Sequence, residues 1–161
     1  MLSVINEPLV STDITINNLI FNAMEEKHND STSQRPEGDR MIDGQLVSID
    51  LPLFMDQVKE EASWKDGKRN AITVFKTNGL RIVLIALHQG SEMARHIADG
   101  VISVQVLEGR IQFNTDQQSI ELGKGQMLAL HERIPHSVKA LQESIFLLTL
   151  AISLGNKQNH L

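Results

Sequence analysis

Residues 101–107 alternate without interruption, with Ile102, Val104 and Val106 on one side and Ser103 and Gln105 on the other. Successive side chains of an extended chain point to opposite sides, so this period of two predicts a strand with one buried face. Glu108-Gly109 ends the run, and alternation resumes through Ile111, Gln112, Phe113 and Asn114. The pattern predicts a hairpin, with Gly109 supplying a backbone conformation that other residues reach poorly. A later block repeats the theme. Residues 127–130 form a short apolar run, Ile134-Pro135-His136 makes a turn, and Ser137-Val138-Lys139-Ala140 alternates again.

Strands continue on both sides of this centre. Residues 71–75 read as one strand, Asn78-Gly79 as a hairpin turn, and residues 80–87 as the return. Both faces of the return are largely apolar, which implies a central strand or an interface. Asp116-Gln117-Gln118 turns into a strand at 119–122, Gly123-Lys124-Gly125 turns into one at 126–130, and 145–152 is apolar almost throughout. Short strands with turns every roughly 8 to 12 residues predict a sandwich or barrel.

Ahead of the strands, Ser11, Thr12 and Asp13 can cap a helix with Ile16, Leu19, Ile20, Ala23 and Met24 on one stripe, although the β-branched run at 13–16 also suits a strand. Residues 25–40 are polar, contain Pro36 and Gly38, and read as a solvated linker. Weak alternation over 41–50 predicts an edge strand. Asp50 ahead of Pro52 signals the start of a helix over 53–64, whose stripe of Phe54, Val58 and Ala62 is expected to pack on the strands. The expected organisation is an N-terminal helical extension and polar linker over 1–40, an edge strand plus helix over 41–70, the strand domain over 71–155 and a polar tail over 156–161.

A chain of 161 residues fits one domain plus extensions. The formal net charge of −5 argues against an electrostatic grip on nucleic acid. Cysteine and tyrosine are absent, which excludes disulfides, thiol chemistry and phenolic acid–base chemistry. No apolar run approaches the roughly 18 residues of a membrane span, so no membrane partner is expected. No basic start followed by an apolar core marks a secretory signal, and the cytoplasm is the expected location.

Gly90, His96 and Gly109, followed by Gly125, Pro135 and His136, resemble the two sequence motifs of the cupin family over roughly residues 72–152. The first motif of that family runs from a glycine through a His-x-His pair and a glutamate to a second glycine; the second runs from a glycine through a proline turn to a histidine. The resemblance implies a mainly β fold, the double-stranded β-helix or jelly-roll barrel. It also implies a metal held by three histidines and one glutamate. Here the second histidine of the pair is Ala98 and the glutamate position is Ile102, while His131 stands where the family often has proline. Only His96 and His136 of that metal set remain.

The ligand pocket implied by the resemblance is His96, Ala98, Ile102, Val104 and His136, with Gln105 or Arg95 near the rim. One reading makes His96 and His136 polar anchors of a metal-free pocket that is mostly apolar, as small-molecule sites usually are. The other makes them ligands of a divalent transition metal (Zn, Fe, Ni or Cu), with His88 or His131 as third ligand, because a catalytic metal needs about three protein ligands. The first implies a small-molecule-binding cupin and the second a metal-dependent oxygenase or isomerase. A third reading makes residues 1–64 a docking segment for a partner protein. Glu92 and Glu108 are not spaced as an acid–base pair. Gly123-Lys124-Gly125 lacks a phosphate-loop pattern, and Ser91 and Ser137 lack a third catalytic partner. Met41, Met55, Met93 and Met127 read as core residues. The doubly apolar strands at 80–87 and 145–152 predict a two-fold homodimer through the outer face of one of them, tested by a charge at Ile85 if that residue faces outward; the alternative is a monomer in which Phe54, Val58 and Trp64 cover that face.

Overall fold

The computed structural model describes residues 27–30 and 39–153. The elements in order are β1 (Lys27–Asn29), β2 (Arg40–Asp43), α1 (Leu51–Glu60), α2 (Ala62–Lys65), β3 (Arg69–Lys76), β4 (Leu80–Leu87), β5 (Glu92–His96), β6 (Val101–Glu108), β7 (Arg110–Thr115), β8 (Ser119–Gly123), β9 (Met127–Leu130), β10 (His136–Ala140) and β11 (Ser144–Ala151). The expected helix over 13–24 and the tail lie outside the described residues. No helix among the described residues is long and apolar enough to cross a membrane.

Two antiparallel sheets face each other. One has the order β3-β4-β11-β6-β9 and the other β5-β10-β7-β8. They are hydrogen-bonded separately, so the closed barrel expected from sequence is an open two-sheet sandwich. The strands at 80–87 and 145–152 are central, as their two apolar faces imply. The Asn78-Gly79 hairpin also forms: Lys76 pairs with Arg81, and Thr77 N–H donates to Leu80 O at 2.8 Å.

The hairpin predicted across Gly109 does not form. β6 pairs with β11 and β9, whereas β7 pairs with β10 and β8. Alternation tells which side of a strand is buried but carries no information about its neighbour. Gly109 instead lets the chain cross from one sheet to the other. Its φ is 78°, and an added Cβ would overlap the carbonyl oxygen of Glu143.

The space between the sheets is filled from both sides: Ile85, Leu87, Ile102, Val104, Val106 and Phe146 meet Ile111, Phe113, Leu122, Val138 and Ala140. A second core lies on the outer face of the five-stranded sheet, where Val58 and Trp64 pack on Ile72, Val74, Leu84, Ala86 and Ile145. Helix α1 starts as Asp50 Oδ1 accepts from Leu53 N–H at 3.1 Å. It ends earlier than predicted, because Glu61 is extended, with ψ 149°. That break leaves Ala62 exposed and puts Trp64 into the core in its place. Buried Asn70, unremarked in the sequence, holds the break: its Nδ2 donates to Val58 O at 2.9 Å and to Glu61 Oε2 at 2.7 Å.

The edge strand expected over 41–50 is shorter and pairs elsewhere. β2 joins β1, which lies within the stretch read as a linker, in a sheet of two. Arg40 ties this ribbon to the main fold by donating to Thr73 O at 3.0 Å from Nε.

Candidate functional site

His136 opens β10 and His96 closes β5, and the two residues are paired across these strands. His136, Val138 and Ala140 alternate into the interior, where each is buried. On β5 the partners of His136 and Val138 are His96 and Met93, three residues apart rather than two. Residues three apart on a regular strand face opposite sides. The register shift between these pairs is a bulge that turns His96 to the same side as Met93, which packs on the interior cluster.

The rings meet with centroids 4.3 Å apart and planes inclined by 60°. His136 also stacks on Phe113, at 5.2 Å and 13°. His136 is only 4% exposed, whereas His96 is exposed at the strand end. Each ring is held by the same local contact. His96 Nδ1 lies 2.7 Å from Ala94 O, and His136 Nδ1 lies 2.8 Å from Ile134 O. Among the described residues no buried side-chain nitrogen or oxygen lacks a partner, so His136 Nε2, which bonds no described group, meets the open mouth. Burial lowers the His136 pKa from the ordinary 6.5; the bond to Ile134 O opposes this, and repulsion from His96 adds to it.

The wall behind the rings is apolar. Ala98 packs on the interior cluster, and Ile102 and Val104 are each 2% exposed within it. The rim is charged but paired. Arg95 Nη2 reaches Asp116 Oδ2 at 2.6 Å, and Arg133 Nη1 lies 3.7 Å from Asp99 Oδ1. A recess of about 320 Å³ beside His136 is lined by Thr115, Gln118, Leu130, Arg133, Ile134 and Pro135 among others.

Two expected participants, Gln105 and His88, lie elsewhere. Gln105 alternates with buried Val104 and Val106 and faces outward. His88 follows β4 near the far end of β10, where Gly90 N–H donates to Ala140 O. His136 and Ala140 are separated by about 13 Å of strand. His88 is also committed to α2, stacked on Trp64 at 3.6 Å with its Nε2 3.0 Å from Trp64 O. His131 is exposed just beyond the end of β9, between Leu130 and Arg133 of the recess, and forms no group of three metal-ligating side chains among the described residues.

Comparison with solved structures gives the architecture its context. A conserved protein of unknown function from Streptococcus pyogenes is 25% identical, with a TM-score of 0.52 over 54% of this chain and 76% of its own. A cupin 2 conserved barrel domain protein from Leptotrichia buccalis is 28% identical, with a TM-score of 0.51 over 53% of this chain and 42% of its own. The chain carries a cupin domain. A mutant salicylate 1,2-dioxygenase from Pseudoaminobacter salicylatoxidans shares the fold at 18% identity, with a TM-score of 0.59 over 68% of this chain and 37% of its own. No family model and no curated protein matches the sequence. The fold is thus shared with an enzyme and with a protein of unknown function, which leaves the activity open.

The cupin domain brings two imidazoles together. Among the described residues no group of three or more His, Asp or Glu is placed to hold a metal. Two nitrogen donors fall short of the roughly three protein ligands of a catalytic metal, so the described donor set does not fit one.

Proposed function

We propose that the cupin domain binds a small molecule with a mostly apolar body, whose polar group rests on His96 and His136. One observation carries this reading: two imidazoles stand at the mouth of an apolar interior, each with Nδ1 committed to backbone and Nε2 left for a ligand. Small-molecule sites combine an apolar wall with a few placed polar groups. At the positions where the cupin motif has ligands, Ala98 supplies a partly exposed apolar wall and Ile102 is buried behind it. The second reading, a metal-dependent oxygenase or isomerase, is favoured by the same free Nε2 atoms; its third ligand would come from outside the described residues.

Elemental analysis of protein purified without added metal separates the two, read beside thermal shifts with small aromatic probes. Binding without metal predicts substoichiometric metal and a saturable rise in Tm that His96→Ala abolishes. Stoichiometric metal that His96→Ala removes would overturn the first reading and establish the second.

A further inference from the structure

We infer that the His96–His136 pair selects a neutral hydrogen-bond donor, a hydroxyl group on an apolar body, over a carboxylate or an ammonium. This rests on the binding reading above. Backbone carbonyl oxygens only accept hydrogen bonds, so the nitrogen facing each one must carry a proton. Ala94 O and Ile134 O face the Nδ1 atoms of His96 and His136 at 2.7 and 2.8 Å. A neutral imidazole has one N–H, so both Nε2 atoms carry lone pairs. The bound group therefore meets two acceptors on rings 4.3 Å apart.

A carboxylate would set its own lone pairs against these two nitrogens. The rim does not rescue it, because the guanidiniums of Arg95 and Arg133 already face Asp116 and Asp99. An ammonium would satisfy the nitrogens but would bring its charge against the apolar wall of Ala98, Met93 and Leu130. The rim carboxylates of Asp116 and Asp99 already face arginines and so do not stand free as its countercharge. Stripping a charge of water without a partner is costly. A hydroxyl donates to an Nε2 and brings no charge, and its apolar body continues onto that wall.

The test uses the full chain at about pH 8, where free imidazole is neutral, and three probes of one shape: benzyl alcohol, benzoate and benzylamine. Calorimetry is expected to show benzyl alcohol binding about tenfold or more tightly than either ion, the size of effect that an opposed or unpaired polar group produces. His136→Phe, which keeps the stack on Phe113, is expected to remove the preference. If that variant does not fold, His96→Ala on the exposed strand end carries the same test. Long-range nitrogen–proton NMR is expected to find Nδ1 protonated in both rings. A proton on Nε2 of either ring overturns the inference. Ion binding that equals or exceeds that of benzyl alcohol, and is lost in the variant, overturns the donor preference but leaves a binding site at the pair. Absence of saturable binding by all three probes overturns the site and the inference together.

Discussion

His136 is buried between Phe113 and His96 while its Nε2 stays at the mouth, and burial holds the ring neutral below the pH at which a free histidine would charge. The unfolded chain takes up this proton near 6.5, the folded protein only at lower pH. The residue's contribution to stability is therefore whole above 6.5 and is lost as pH falls toward the folded value. Urea midpoints are expected to drop between about pH 7.5 and pH 5, and to drop less in His136→Phe; an unchanged pH profile in the variant would assign the loss to other groups. Gly109 is constrained by backbone geometry. Its positive φ coincides with the approach of Glu143 O, and the adjoining Ser144 hydroxyl is completely buried and accepts from Arg110 N–H at 3.0 Å. Gly109→Ala is expected to cost about 1–3 kcal/mol from backbone strain alone, measured by urea unfolding.

The helical segment is the element whose attachment is most unevenly distributed. Trp64 contributes a buried indole to the outer core and stacks on His88, whereas Lys59 holds partly exposed carboxylates of Glu108 and Glu143 at 3.1 and 3.4 Å. For the Lys59 pKa, burial is the largest influence and lowers it, but the bonds to Glu108 and then Glu143 together raise it. Water screens ion pairs of this kind, so Lys59→Ala is expected to cost less than about 1 kcal/mol. Trp64→Ala is expected to cost about 3–5 kcal/mol, because it opens a cavity under α2. Equal losses on urea unfolding would show that charge, and not apolar burial, attaches the segment.

For the whole molecule, the covering of the outer face changes the expected assembly. Phe54, Val58 and Trp64 pack on that face over β3, β4 and β11, and Ile85 points into the interior, so a charge at Ile85 does not probe an outer face. The outward side of β6 and β9 is open, with Val101 of β6 42% exposed and Met127 56% exposed on β9, the edge strand. Met127 is thus a surface residue and not the core residue its type predicts. We propose the two-fold homodimer at this edge, where apolar exposure and unpaired strand groups coincide. Light scattering at micromolar concentration is expected to give twice the chain mass, and Met127→Glu is expected to halve it without unfolding the protein. A wild-type mass near 18.0 kDa rejects the dimer.

Period-two runs were legible in the sequence wherever one face is buried: Ile102, Val104 and Val106 line the interior because burial and alternation are the same fact seen twice. Asn78-Gly79 announced its hairpin and Asp50 its helix start, since both signals act within a few residues. The family motifs also pointed to His96 and His136, and the structure brings those two rings together. Tertiary structure alone decided the rest. The partition of β6 and β7 between two sheets depends on distant strands that bond to each, which no local pattern encodes. The early end of α1 depends on Asn70, reaching back from β3 to Val58 O. The facing of His96 depends on a bulge against β10, because one extra residue reverses the side that simple alternation would assign. The distance of His88 from the pair has the same origin: sequence counts histidines, but only the packed strands set which end of the sandwich each one occupies.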